Sequence, residues 1–138
     1  MRSIVSFLFV VFLISCSAKR TAETEVQQWK EFQDFQTLIE KPFQHLKNPA
    51  MMDSITVIAT VQNINAIAEG AEKLANSTIP EGLNNKGIVK DRLQKLNSDV
   101  KILAKYISEG TEDDVIGSGI YSIYTSFQDL KTVWEKKE

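Results

Sequence analysis

The side chains that could bind a metal ion lie close together in one short part of the chain. His45 is the only histidine, and Met51 and Met52 follow it within a few residues. Imidazole nitrogen and thioether sulfur suit Cu(I), so these three residues are candidate copper ligands. In the alternative interpretation, His45 is a polar residue at a helix end and both methionines pack into the cap of a helical bundle. We expect the second role and therefore predict no bound metal.

Residue sets typical of catalytic sites are missing from the sequence. A single histidine excludes a multi-histidine zinc site and the HExxH pattern of metalloproteases. His45 is not accompanied by a GxSxG motif that would indicate a serine nucleophile, and the Glu-x-x-His pattern of di-metal bundles is also missing. We therefore predict a protein that is not an enzyme, with no catalytic residues and no cofactor.

Cys16, the only cysteine, ends a hydrophobic N-terminal segment. An apolar run extends from Ile4 to Ile14, after Met1-Arg2-Ser3. As a helix this run would reach only about 16 Å, whereas the hydrocarbon core of a bilayer is about 30 Å thick. A basic start, a short apolar core and small residues at its end are typical of a secretory signal peptide.

The stretch Leu13-Ile14-Ser15-Cys16 resembles the lipobox of bacterial lipoproteins. The resemblance implies that residues 1–15 are removed as a signal peptide, that the Cys16 thiol is diacylated and that its new amino group is acylated. Ser17 stands where an Asp tends to retain such proteins at the inner membrane. The resemblance therefore favours an outer-membrane lipid anchor, with the body of the protein facing the periplasm. In the alternative, an ordinary signal peptide is cut after Ala18 and Cys16 is discarded.

The composition fits one secreted domain that lacks disulfides. If Cys16 carries lipid, no cysteine is left for a disulfide, a redox centre or a metal site. Loss of residues 1–15 removes Arg2 and moves the formal net charge from −2 to −3. This balance argues against nucleic acid as a partner, because nucleic-acid binding needs a strongly basic face. Residues 16–23 are polar and unpatterned and would form a lipidated tether.

A first amphipathic helix is predicted from Thr24 to Leu46. Thr24 and Gln27 have the spacing of a capping box. Pro42 lies inside the predicted helix and is expected to kink or break it, because proline lacks an amide donor. Apolar residues recur in steps of three and four at Val26, Trp29, Phe32, Phe35, Ile39, Phe43 and Leu46.

A second helix is predicted from Pro49 to about Asn76. Asn48 is expected to cap it, and Pro49 would occupy the first turn, where a missing amide is harmless. A loop rich in helix breakers follows at 77–86. The core stripe would comprise Val57, Val61, Ile64, Ala68, Ala71 and Ala75, widened by Ile58, Ile67 and Leu74.

The third and fourth predicted helices have the clearest periodicity. Gly110 is expected to end the third helix, and Thr111 to cap the fourth. The short connection between them makes these helices antiparallel neighbours. We expect the basic outer face of the third helix to complement acidic residues of the first; lipid phosphate or an acidic partner is the alternative. The stripes are Val89, Leu93, Leu96, Val100, Leu103 and Ile107, then Ile116, Ile120, Ile123, Phe127, Leu130 and Trp134.

Four amphipathic segments joined mainly by short turns predict an all-α domain at 24–138, an up-down-up-down antiparallel four-helix bundle. From Pro49 to Trp134 the helix spacing resembles periplasmic bundles of the cytochrome c-prime type. That family attaches haem through Cys-x-x-Cys-His on its last helix. The corresponding positions are Ile120, Ile123 and Tyr124. The resemblance therefore implies a bundle without haem.

Together these features predict a lipid-anchored envelope protein with a non-enzymatic binding or scaffolding role. Its expected partners are the membrane, through acylated Cys16, and an envelope protein. The alternative is a periplasmic carrier of a small ligand or of copper, which would use His45 with both methionines or an apolar cavity beside Tyr124. The aromatic residues that would line such a cavity, and that we expect to pack in the core, are Tyr121, Tyr124 and Phe127.

Overall fold

The computed structural model describes residues 29–83 and 85–136. The predicted signal peptide (1–15), the tether (16–23) with Cys16, and the start of the first predicted helix lie outside these residues. In the described part of the chain the regular elements are all helical and no strand is present, which confirms the all-α part of the predicted fold class. Its elements are α1 (Lys30–Glu40), a short 3-10 helix (Lys41–Phe43), α2 (Ser54–Gln62), α3 (Ile64–Asn76), α4 (Lys86–Ser108) and α5 (Asp113–Glu135).

The core lies between α1, α3, α4 and α5, and its composition follows the predicted stripes closely. α3 packs on α1 and α4, and α5 packs on α4 and α1. Every stripe residue of α4 and α5 is buried except Ile107 and Trp134, which are half-buried near the helix ends. The largest fully buried side chains are Phe35, Ile39, Ile67, Leu74, Leu96, Leu103, Ile120, Ile123, Phe127 and Leu130.

An aromatic cluster joins α1 to α5. The ring centroids of Phe32 and Phe127 are 5.2 Å apart, and Phe35 meets Phe127 edge-on at 5.5 Å. Trp29 packs against Trp134 with centroids 5.2 Å apart. The indole Nε1 of Trp29 donates a hydrogen bond of 2.8 Å to the hydroxyl of a residue at the end of α3. The chain that precedes α1 therefore enters the fold beside the end of α5.

The break that Pro42 predicts in the first helix is confirmed. α1 ends at Glu40, and Pro42 lies in the first residues of the 3-10 helix that follows. Phe43 is buried and Leu46 is half-buried, so the chain stays on the core after the break. The tighter turn accommodates a residue that cannot donate an amide hydrogen bond.

The predicted second helix is wrong at its start and in its middle. Asn48 does not cap a helix; its carboxamide accepts a hydrogen bond of 3.1 Å from the amide of Ala50 in a turn. The helix begins at Ser54 instead, and Asp53 caps it by accepting from the amide of a residue in its first turn. Asn63 then divides the segment into α2 and α3. Its side chain donates 2.7 Å to a carbonyl four residues earlier, in competition with the backbone ladder.

α4 and α5 run antiparallel, as their short connection predicts. Contacts pair the start of α4 with the end of α5: Asn85 donates to the carbonyl of Val133 at 3.1 Å, and Arg92 lies 3.7 Å from Asp129. Gly110, with φ of +68°, makes the turn between them. α5 begins at Asp113 with Glu112 at the cap position, so the prediction of Thr111 as its cap is wrong.

The expectation that the basic face of the third helix complements the first helix is also wrong. In residues 29–83 and 85–136, the ion pairs recorded for α4 lead to α3, to α5 or back to α4. The reason is the packing order, because α1 packs on α3 and α5.

Glu40 of α1 instead pairs with Lys131 of α5 at 3.0 Å. Partial burial raises the pKa of Glu40, but hydrogen bonds from Gln36, Lys131 and Gln128 outweigh it and lower the pKa overall.

Two glycines of α5 give a matched stability prediction. A Cβ at Gly117 would meet no atom within 4 Å, whereas a Cβ at Gly119 would lie 2.9 Å from Leu103 Cδ1. Gly117→Ala should stabilise the protein by about 0.5–1 kcal/mol, because alanine loses less backbone entropy in a helix. Gly119→Ala must displace a buried leucine, so we expect it to be less stable than Gly117→Ala by about 1 kcal/mol or more. Urea denaturation measures both, and equal midpoints for the two variants would contradict the close contact at Gly119.

Candidate binding surface

The helix α2 reverses the usual pattern of an amphipathic helix, in which apolar side chains are buried and polar side chains face solvent. Its buried residues are the polar Thr56 and Thr60, exposed by 0% and 1%. Its most exposed large side chains are apolar: Ile55 is 67% exposed and Ile58 is 56% exposed. The Thr60 hydroxyl donates 2.8 Å to the carbonyl of Thr56, so the buried polar group is satisfied. α2 therefore presents an apolar face to solvent, which favours an interaction site.

An open groove of about 1110 Å³ lies between α2 and the first turns of α5. Gly117 lies in its lining, where a side chain would meet open space. The predicted stripe residues Val57 and Val61 line this groove, are half-buried and pack against the core. Ile58 is exposed, so its assignment to the core is wrong. The apolar lining residues are Ala50, Met52, Val57, Ile58, Val61, Ile107, Ile116 and Tyr121. We call this region the α2–α5 groove.

Exposed apolar side chains are concentrated at the same end of the molecule. Besides those of α2, they occur in the last two turns of α4 and the first turns of α5, on either side of the Gly110 turn. Ile88, 53% exposed in the first turn of α4, is an exception at the opposite end. The residues at the groove end are Met51, Ile55, Ile58, Ile102, Tyr106, Val115 and Tyr121.

The lining of the α2–α5 groove is acidic. It includes the carboxylates of Asp53, Asp113 and Asp114, and no Lys, Arg or His of the described residues lines it. Asp113 and Asp114 lie in the first turn of α5, where the positive end of the helix dipole favours negative charge. The groove therefore combines apolar walls with a negative rim.

His45, Asp53 and Thr56 form a hydrogen-bonded group at the start of α2. His45 Nε2 lies 3.0 Å from Asp53 Oδ2 and 3.4 Å from Thr56 Oγ1. The Thr56 amide and hydroxyl donate to Asp53 Oδ1 at 2.9 and 2.8 Å. These hydrogen bonds, aided by His45, lower the pKa of Asp53 from its ordinary 3.8 to about 2. The group thus keeps the Asp53 cap ionised.

This group does not have the geometry of a nucleophilic triad. In a triad the histidine contacts its carboxylate through one ring nitrogen and its nucleophile through the other. Here Nε2 faces both Asp53 and Thr56, and an ionised carboxylate only accepts, so Nε2 is a donor. The Thr56 hydroxyl is moreover fully buried and donates to Asp53. The three residues instead stabilise the N-terminal end of α2.

The candidate copper ligands have separate surroundings. His45 is held by Asp53, whereas Met51 is 74% exposed and Met52 lines the α2–α5 groove. A metal ion on His45 Nε2 would have to displace the Asp53 carboxylate. Within residues 29–83 and 85–136, no cluster of three or more His, Cys, Asp or Glu is arranged to hold a metal ion. Cys16, the predicted lipidation site, lies outside this part of the chain.

The predicted aromatic ladder divides between core and groove. Phe127 is fully buried, and Phe43 stacks on Tyr124 with ring centroids 4.2 Å apart. Phe43 therefore covers one face of the Tyr124 ring, where the sequence suggested a ligand cavity. Tyr121 is 38% exposed and lines the groove. The haem-attachment equivalents Ile120 and Ile123 are core residues.

The sequence did carry one sign of the groove. Five of the nine residues of α2 are Ile, Val or Ala, spread around the helix and not confined to one stripe. Such a helix has more apolar surface than one core face can cover. Which side of α2 stays uncovered is decided by tertiary packing, and sequence periodicity carries no information about that packing.

Comparisons with protein-family models, with curated proteins and with solved structures find no match to this chain. Among the helices that the structure describes, none is sufficiently long and apolar to cross a membrane.

Replacing Asp53 by alanine should loosen the wall of the groove locally. The variant loses the acceptor for the Thr56 amide, so we expect hydrogen exchange of amides in the first turn of α2 to become several-fold faster. Asp53→Asn is the matched control, because asparagine also caps helices and should keep exchange close to wild type. NMR-detected exchange measures both. Equal exchange in Asp53→Ala and wild type would contradict the capping role.

The same cap has a defined pH dependence. Because folding lowers the pKa of Asp53 to about 2 from 3.8, its stabilising effect is complete above the ordinary value. That effect should fade as the pH falls from about 4 through about 2. α2 amide exchange, corrected for its intrinsic pH dependence, should therefore rise within this window in wild type. In Asp53→Asn it should stay flat there, and a matching rise in both proteins would exclude Asp53 as the titrating group.

Proposed function

We propose that this protein is a lipid-anchored envelope protein, attached through Cys16, that binds a protein partner without catalysing a reaction. The observation that carries this proposal is the apolar surface of α2 beside the α2–α5 groove: Ile58 lines the groove, and both Ile55 and Ile58 face solvent while Thr56 and Thr60 are buried. A helix exposes apolar side chains in this way when another surface covers them. The outer membrane, with the domain facing the periplasm, is the proposed location.

For the architecture, we propose an up-down-up-down four-helix bundle whose second segment is divided into α3 and α2. Antiparallel contacts support this arrangement: Trp29 and Glu40 of α1 meet Trp134 and Lys131 of α5, in reverse order along the two helices. In this bundle α3 completes the core, and α2, which comes before Asn63 in the chain, leans outward. The groove is then the space between the deviating segment and α5.

The proposed anchor would join the domain at the end opposite the groove. The chain before α1 joins at Trp29, beside the end of α5, and the groove lies at the start of α5. α5 has 23 residues and is therefore about 34 Å long. The chain from Cys16 to Trp29 would span at most about 45 Å if it were fully extended. The domain would thus stay close to the membrane, with the groove about one α5 length from the point where the anchored chain joins.

A crosslinked pull-down from the native envelope tests the proposal. The lipid-anchored wild type should recover one envelope protein in stoichiometric amount, and Ile58→Asp should lose it because a charge enters the apolar wall. Ile88→Asp is the matched control: it places the same charge on an equally exposed isoleucine at the opposite end. Recovery of the protein alone, or equal recovery by Ile58→Asp and wild type, would contradict binding through the groove.

A further inference from the structure

We infer that the occupant of the α2–α5 groove is an amphipathic α-helix of another protein, with basic residues flanking its apolar side. This inference rests on the proposed binding function and specifies the chemistry of the partner. It follows from three properties of the groove: its size, the kind of backbone that forms its walls, and the sign of its charge.

The size of the groove matches a short helix. A helix about 10 Å across that filled about 1110 Å³ would extend for roughly two and a half turns. The apolar lining residues are distributed along both walls, so such a helix would be contacted on two sides. Recognition of this kind uses side chains repeated at i, i+3, i+4 and i+7.

The walls of the groove favour a helix over an extended peptide. The walls are formed by α2, the end of α4 and the start of α5, all of them helical, and the described residues contain no sheet edge to which a strand could be added. Polyproline segments bind grooves lined by several aromatic rings, whereas Tyr121 is the one aromatic residue that lines this groove. Packing of side chains from a helix remains as the mode of contact.

The charge of the groove selects a basic partner. Asp53, Asp113 and Asp114 line it, and no Lys, Arg or His of the described residues is part of the lining, although His45 contacts Asp53 from outside it. Lysine or arginine beside the apolar side of the partner would complement these carboxylates and steer its approach. An anionic lipid surface would be repelled. A second copy docked symmetrically would bring the same carboxylates together, which disfavours self-association through this face.

Two synthetic peptides of about three helical turns test this inference. Both carry leucine at i, i+3, i+4 and i+7; one has lysine and the other glutamate at the flanking positions. They are titrated against the natively lipidated protein in nanodiscs of zwitterionic lipid. We expect the lysine peptide to bind at least tenfold more tightly than the glutamate peptide, and its affinity to fall as NaCl is added.

Variants locate the binding site. Gly117→Leu should weaken binding of the lysine peptide at least tenfold, because it adds a bulky side chain to the groove lining at a position where a Cβ meets no atom within 4 Å. The Asp113→Asn, Asp114→Asn double variant should reduce the preference for lysine over glutamate. Ile88→Asp should leave both affinities unchanged. Circular dichroism and denaturation midpoints check that each variant is folded.

Several results would overturn the inference. These are equal affinity for the two peptides, no binding of either, or lysine-peptide affinity that Gly117→Leu leaves unchanged. Binding of vesicles rich in anionic lipid, or a dimer that Ile58→Asp dissociates, would assign the groove to another occupant. If the envelope pull-down still yields a partner dependent on Ile58, the proposed function stands and only the partner chemistry is wrong. If the pull-down also fails, both are wrong.

Discussion

Phe127→Ala is expected to destabilise the folded protein by about 3–5 kcal/mol. Phe127 is fully buried, and its ring contacts Phe32 at 5.2 Å and Phe35 at 5.5 Å. Its removal would leave a cavity and would also lose two aromatic contacts between α1 and α5, each contributing about 0.5–1.5 kcal/mol beyond area burial. Because domains are stable by only about 5–15 kcal/mol, this loss is a large fraction of the free energy of unfolding. Urea denaturation followed by circular dichroism measures the change.

Tyr121→Ala is the matched control on the same helix. Tyr121 is also aromatic, but it is 38% exposed and lines the groove outside the core. We expect its loss to change the free energy of unfolding by no more than about 1 kcal/mol, since little surface is re-exposed. If Phe127→Ala were as stable as Tyr121→Ala, the packing of α1 on α5 through Phe127 would be disproved.

The second large effect is expected from Cys16→Ser, which should move the protein from the membrane fraction to the soluble fraction. Each buried methylene contributes about 0.8 kcal/mol to membrane affinity, so a thioether-linked diacyl group with an N-acyl chain holds a protein firmly. Serine removes the thiol to which the proposed lipid would be attached. Fractionation of the envelope followed by mass spectrometry of the N-terminal peptide measures location and acylation together.

The controls separate anchoring from folding. Cys16→Ser should leave the urea midpoint of the domain at 24–138 unchanged, because the described core is built from residues that begin at Trp29. Ser17→Ala keeps the acceptor cysteine and should stay in the membrane fraction. A wild-type peptide that begins at residue 19 and carries no lipid would instead identify an ordinary signal peptide cut after Ala18, and the anchored function would be wrong.

Sequence periodicity predicted the core of α4 and α5 because each helix has one continuous apolar stripe, set among mainly polar residues. Leu93, Leu96 and Phe127 lie where the steps of three and four place them, and all are buried. Pro42 was equally informative, since a missing amide donor has the same consequence in any tertiary context.

The region from Asn48 to Asn63 could not be predicted in the same way. Asn48-Pro49 and Asp53-Ser54 are both plausible helix starts, and the choice depends on Thr56 and His45, which support Asp53 with hydrogen bonds. His45 and Asp53 are eight residues apart, with a turn between them, so their contact is a product of the fold. Apolar Ile58 fits a core stripe, but its exposure depends on how far α2 lies from α5.

The most direct test of the account is photocrosslinking from a photoreactive residue placed at Ile58 in the natively anchored protein, with Ile88 as the control position. We predict one major adduct with an envelope protein from position 58 and none from position 88, because only the first lies in the α2–α5 groove. Absence of an adduct at position 58, or the same adducts from both positions, would contradict the claim that this groove is the binding surface.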